Sequence, residues 1–144
     1  MATVNVKIKR IGNGLLPEYK RDNDACMDCY AHIPEDITII PGKRTNIPLG
    51  FALQLPPGYE VQIRPRSGLT KKGIDSGWGT GDEEYTGEYQ ATIINNSEEP
   101  FTIHSGDRIC QMTIKPVFKI NLNVVDELEE TARGSNGFGS SGYN

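Results

Sequence analysis

An all-β sandwich or barrel is the fold class this sequence predicts, and three observations predict it. Gly and Pro are dense: 16 and 9 among 144 residues, about 17% against roughly 12% in an average protein. Inside a helix these residues cost roughly 1 and 3 kcal/mol each, so the chain is not mainly helical. Short apolar or alternating runs recur at roughly 8–12-residue spacing and end on turn residues, the rhythm of a sandwich or barrel. The length suits one domain with a sizeable core, and the apolar content of 36% is too high for general disorder.

The strands follow in order. Val4, Val6 and Ile8 alternate with Asn5, Lys7 and Lys9. That is a strand pattern and not a secretory signal, which needs a continuous apolar block. Ile37 to Ile40 stops at Pro41-Gly42, Thr45 to Leu55 at Pro56-Pro57-Gly58, and Tyr59 to Arg64 at Pro65. Tyr89 to Ile94 stops at Asn95-Asn96, Pro100 to Ile103 at Ser105-Gly106, and Ile109 to Phe118 alternates again. One short helix is expected from Ser67 as cap through Lys72, with Gly73 as the stop. Asp126 to Thr131 is expected as a second short helix or a turn. The segment Gly77 to Gly87 reads as a glycine-dense hairpin, with Trp78, the single tryptophan, expected to pack.

Net charge is −4, which argues against a nucleic-acid grip driven by bulk charge. No run approaches 18 apolar residues, so no membrane span is expected. Three cysteines make a poor disulfide framework, and a reducing, cytoplasmic setting follows as an expectation. Cys26 and Cys29 form a C-x-x-C, but no helical pattern follows them and no second pair completes a zinc site.

Four segments carry chemistry. Pro65-Arg66-Ser67-Gly68 sets an arginine and a hydroxyl at a helix start, where free amides favour phosphate. Gly77 to Gly87 holds Asp82 and Tyr85 among glycines that let backbone approach a ligand. Gly106-Asp107-Arg108-Ile109-Cys110-Gln111 turns into a strand, and Asp107 and Arg108 are expected to pair with each other or with a neighbour. Arg133 to Asn144 holds four Gly and three Ser. It cannot order itself by apolar burial, yet an arginine with glycine amides and hydroxyls suits a polyphosphate.

Taken in order from Asp24 to Gly142, these segments resemble the five motifs of the trimeric dUTPase family, which cleaves dUTP to dUMP and pyrophosphate. Pro65 to Leu69, Gly106 to Gln111 and Arg133 to Gly142 match closely. Asp82, Tyr85 and Gly87 fall on the third motif, but Gly81 stands where the family usually has a bulky aliphatic residue. The first motif is altered to Ala25-Cys26-Met27-Asp28-Cys29, with Asp28 and Ala31 kept. The resemblance implies a jelly-roll-like β-barrel over residues 1–132 with one short helix, and a flexible lid tail over 133–144. It implies Asp82 as general base, Tyr85 against the deoxyribose, and backbone around Gly79 to Gly87 on the uracil. Arg66, Ser67, Gly68 and Gln111 would hold phosphates. Arg133, Ser140 and Ser141 would close on the γ-phosphate, with Phe138 and Gly139 over the base. It further implies Mg²⁺, with Asp28 reaching it through water, and a homotrimer with sites between subunits. A dCTP deaminase-like enzyme of the same fold and a non-catalytic nucleotide-binding regulator are the alternatives. The first is disfavoured by Gly68-Leu69, where those relatives carry a second Ser.

Overall fold

The structure, a computed structural model, describes residues 2–142. It is almost entirely β. Ten strands run in the order β1 (Lys7–Arg10), β2 (Met27–Tyr30), β3 (Ile37–Ile39), β4 (Arg44–Gln54), β5 (Tyr59–Arg64), β6 (Ile74–Ser76), β7 (Gly79–Gly81), β8 (Glu88–Asn95), β9 (Phe101–Ile103) and β10 (Arg108–Pro116). One short helix, α1 (Ser67–Thr70), sits between β5 and β6. They form a four-stranded sheet β1-β4-β8-β6, a second four-stranded sheet β2-β10-β5-β7, and the two-stranded pair β3-β9. All pairings are antiparallel. This is a jelly-roll-like arrangement of packed sheets, within the sandwich-or-barrel class that the turn spacing predicts and of the kind that the family resemblance implies.

Strand alternation builds the core. On β8 the inward positions are Tyr89, Ala91, Ile93 and Asn95, while the intervening residues are less buried. On β5 they are Val61 and Ile63. These meet Ile47, Leu49, Phe51 and Leu53 of β4. Burial at roughly 25 cal/mol per Å² of apolar surface makes this inter-sheet layer the main stabiliser. Asn95 is fully buried and satisfied: its side-chain NH₂ donates to the carbonyls of Ile39 and Glu99, both at 2.8 Å. Midway along β4, Gly50 at φ +79° approaches the backbone of Gly14 and the ring of His32 so closely that a Cβ would lie 2.9 Å from each. The bulge between Pro48 and Ala52 therefore needs glycine there.

Several expectations are corrected. α1 begins after Arg66, which occupies the cap position, and no side chain caps it; Ser67 is already helical. Gly73 does end the turn, at φ +87°. Gly77 to Gly87 is not a closed hairpin. β6 and β8 pair with each other, while β7 between them crosses to β5 in the other sheet. Trp78 does not pack inside but is 70% exposed, with the Arg64 guanidinium 5.2 Å from its ring centroid. Asp126 to Thr131 holds only a bend. The Cys26–Cys29 segment, which carries no clean alternation, overlaps strand β2. No helix among the described residues is long and apolar enough to cross a membrane.

Candidate active site

Asp28 organises the first half of the site. It lies on β2, 5% exposed, and faces three side chains from two other elements. Arg66, at the start of α1, sets its Nε 3.6 Å from Oδ1. Arg108 of β10 sets its Nη1 3.4 Å from Oδ2, and Gln111 donates from Nε2 to Oδ1 at 3.5 Å. The register explains the gathering, since Gln111 lies directly opposite Asp28 in the β2–β10 ladder. Arg66 is anchored a second time, donating from Nη1 to the Arg108 carbonyl at 3.0 Å. Two guanidiniums and an amide are thus held by one buried carboxylate, which keeps the arginines oriented and limits their mutual repulsion. Of the two pairings expected for Arg108, with Asp107 or with a neighbour, the structure makes the second, with Asp28; Asp107 accepts from the His104 amide at 2.8 Å. Arg66 and Arg108 border an open cavity of about 590 Å³, also lined by Tyr30, Leu69 and Gly106. Ser67 and Gly68 are exposed beside Arg66, and open space surrounds the position a Cβ on Gly68 would take.

The second half lies at the far side of the same sheet. Asp82 follows β7 and is exposed; its carbonyl accepts from the Tyr85 amide at 3.0 Å, closing a tight turn. Glu83 ties this turn to the β4–β5 connection by accepting from the Gly58 amide at 2.6 Å. Tyr85 donates its hydroxyl to the Glu88 carbonyl at 2.8 Å. A Cβ on Gly87 would lie 2.6 Å from that same hydroxyl, so the Tyr85 ring requires the glycine. Gly79, Gly81, Asp82, Tyr85 and Tyr89 line a cavity of about 390 Å³. Tyr89 stacks on Phe51 at 5.7 Å between centroids and meets Tyr85 edge-on at 5.4 Å, the geometry aromatic quadrupoles favour.

The two halves do not meet within one chain. Gln111 pairs with Arg64 and Ile63 pairs with Gly79. Asp82 therefore lies two strands across and about four residues along from Gln111, roughly 16 Å at ordinary sheet spacings. The two cavities share no lining residue. The tail joins neither. Arg133 donates to the Asn136 carbonyl at 2.6 Å, Ser140 and Gly142 close turns within the tail, and Phe138 is fully exposed. Gly139, Ser140 and Ser141 lie in those turns. The packed part ends with β10, and the segment after it leaves Phe118, Ile120, Leu122 and Val124 each more than 80% exposed, at alternate positions.

Sequence reading understated Arg108 and passed over Tyr89. The signal for Arg108 was its register neighbourhood, visible only once β2 is recognised as a strand. The signal for Tyr89 was a pair: a glycine at 81, and an aromatic residue at an inward position of β8.

The dUTPase family profile matches residues 13–142. The chain is 43% identical over 147 residues to the deoxyuridine 5'-triphosphate nucleotidohydrolase of Syntrophotalea carbinolica, covering 99% of this chain and 100% of that one. It is 45% identical over 150 residues to the protein of the same name from Maricaulis maris, with 99% of each covered. A solved structure of the Staphylococcus bacteriophage 80alpha dUTPase with dUPNHPP is similar at a TM-score of 0.87 and 26% identity, covering 98% of this chain and 100% of that one.

Proposed function

The chain belongs to the dUTPase family, and from that membership and the geometry above we propose that it hydrolyses dUTP to dUMP and pyrophosphate. In a cell this reaction keeps uracil out of DNA and supplies dUMP for thymidylate synthesis, which fits a cytoplasmic enzyme. The observation that carries the reading is the division of the site. One chain offers an arginine-rich patch suited to phosphate and, roughly 16 Å from Gln111 at the edge of that patch, an exposed carboxylate beside an aromatic pocket suited to a nucleoside.

Asp82 accepts a proton from a water as that water attacks the α-phosphorus. The bond from the α-phosphorus to the bridging oxygen breaks, and pyrophosphate leaves with the electron pair. An exposed carboxylate near neutral pH is a competent base when one water bridges it to phosphorus. The Tyr85 ring lies against the deoxyribose and leaves no space for a 2′-hydroxyl. Backbone from Gly79 to Gly87 reads the uracil edge and crowds out a 5-methyl group. Arg66, Ser67, Gly68 and Gln111 hold the α- and β-phosphates. Arg133, Ser140 and Ser141 close on the γ-phosphate, with Phe138 and Gly139 over the base, and closure expels water. The tail, residues 133–144, is thus a lid on the β domain of residues 1–132; Tyr143 and Asn144 lie outside the described residues.

The donor set of Asp28 bears on Mg²⁺. Both its oxygens already face guanidinium or amide groups, so it is a poor direct ligand. It would suit a cation held mainly by the triphosphate, which Asp28 would reach through water. When bound, Mg²⁺ offsets phosphate charge.

Because Asp82 and the arginines are apart in one chain, the working site is shared between copies in a homotrimer. The alternating apolar residues Phe118, Ile120, Leu122 and Val124 support the same assembly, since an exposed strand-like arm of this kind is covered when it adds to another chain. Pyrophosphate release measured across the deoxynucleoside triphosphates and UTP tests the proposal. Release from dUTP far above the others, lost in chelator, is expected. Ammonia release from dCTP, or tight dUTP binding without turnover, would replace it with one of the two alternatives.

A further inference from the structure

Gly81 and Tyr89 occupy one volume between them. A Cβ built on Gly81 would collide with the Tyr89 hydroxyl and lie 2.7 and 2.8 Å from Cε1 and Cζ of its ring. The ring, reaching across from β8, therefore takes the place of a side chain at position 81, immediately before Asp82. It differs from an aliphatic side chain in one respect: it carries a hydroxyl into that space. Tyr89 is 4% exposed, and its Oη is the buried side-chain polar atom that has no hydrogen-bond partner among the described residues. Buried polar groups are nearly always paired, and an exception calls for a reason. The ring is held by Phe51 on one face and Tyr85 at its edge, so the hydroxyl cannot swing away to find a partner. Burial, with Tyr85 and Asp82 nearby, pushes the Tyr89 hydroxyl up from its ordinary value; a tyrosine hydroxyl is in any case protonated, and so a donor, at neutral pH. Tyr89 also lines the cavity shared by Asp82 and Tyr85.

We propose that Tyr89 is a positioning residue of the nucleoside pocket, its ring bracing the backbone ahead of Asp82 and its hydroxyl donating to an oxygen that arrives with the bound deoxynucleotide. That oxygen belongs to the nucleoside or to a water held with it; in either case the donor is unpaired in the free protein and paired in the complex. The inference rests on the dUTP reading of this pocket.

The test is Tyr89→Phe in the full chain, which keeps the ring and removes only the hydroxyl. Two measurements are paired: kcat/KM for dUTP, and the rise in Tm caused by a dUTP analogue with a non-hydrolysable α–β bridge. The expected result is a kcat/KM about fivefold or more lower, in keeping with the loss of one hydrogen bond. The analogue-induced rise in Tm is smaller, while the Tm of the free protein is unchanged or higher. A merely structural hydroxyl would lower the free Tm and leave the analogue-induced rise intact. Wild-type turnover with kcat/KM of the variant within twofold, and an equal analogue-induced rise, overturns the role of Tyr89 and leaves the dUTP reading standing. Absence of both dUTP turnover and an analogue-induced rise in the wild type overturns the dUTP reading, and this inference with it.

Discussion

The two halves of the site solve opposite problems. The arginine half is assembled before substrate arrives: Asp28 holds Arg66 and Arg108, Arg66 is pinned again by the Arg108 carbonyl, and the β2–β10 register sets Gln111 opposite Asp28. The nucleoside half is left incomplete. Asp82 is exposed, Tyr85 is 46% exposed, and the Tyr89 hydroxyl is unpaired. Mobile cations would cost entropy each time they gathered on a triphosphate, so prior fixing favours that half. A base that must meet a water, by contrast, has to stay accessible. On the proposed reading, charge is pre-arranged where the ligand is highly charged, and the reacting group is left open to water.

The largest effect should come from the open half. Asp82→Asn removes the base and leaves the arginine cluster untouched. Turnover should fall by ~10² or more, the range for a general base, with dUTP affinity largely kept. The check is single-turnover pyrophosphate release beside equilibrium binding of the analogue. If turnover is unchanged, the division between a binding half and a reacting half is wrong. Removing the chain from Arg133 onward should have the next largest effect. Among the described residues the tail's hydrogen bonds stay within it, apart from the Gly134 amide donating to Thr131 Oγ1 just before it, so the change in stability should be within the ordinary scatter of surface changes, about 0.5 kcal/mol. Catalysis should drop by roughly tenfold or more, because closure and one arginine–phosphate contact are lost. An unfolded truncation product would show the tail to be part of the domain and not a lid.

The difference between the halves also governs what could be read from sequence. Turn residues located most strands to within a residue or two: β5 falls on Tyr59–Arg64 as predicted, and β4, β8 and β10 shift only at their ends. These strands alternate because one face meets the core. β2 was missed because its residues, Met27 to Tyr30, are all at least half-buried, so no polar face marks it. Its pairing with β10 brings Asp28 to Gln111 across 83 positions of chain, a contact that local pattern does not encode. β6 and β7 are three residues each, too short for any period, and β7 joins a different sheet from its neighbours. The oddity at Gly81 was legible as a departure, but its explanation lay eight residues on, in a tyrosine whose inward direction only the packed sheets reveal. Trp78 was misjudged by residue type alone; next to Gly79 it lies over Arg64, and nothing in its flanks separates that from a core position.

The smallest effect comes from a tyrosine in each half. Tyr30 ends β2 in the arginine half and donates its hydroxyl to Glu18; burial, then this hydrogen bond, pushes its hydroxyl up to about 12. Tyr89 is also pushed up, again by burial first, but with no hydrogen-bond partner among the described residues. An unfolded tyrosine titrates near 10. In both cases the folded state holds the proton more firmly, so the stabilisation is fully present below pH ~10 and is lost as pH rises through the folded value, by about 12 at Tyr30. The causes differ, and so should the variants. Tyr30→Phe removes a made hydrogen bond and should lower stability at pH 8 by about 1 kcal/mol or less, with the gap to wild type narrowing by pH 12. Tyr89→Phe removes an unmade one and should cost nothing at pH 8. Urea midpoints of the three proteins at pH 8 and pH 12 measure this. An equal loss for both variants at pH 8 would mean that the Tyr89 hydroxyl already has a partner in the free protein, and that the nucleoside half is as complete before binding as the arginine half.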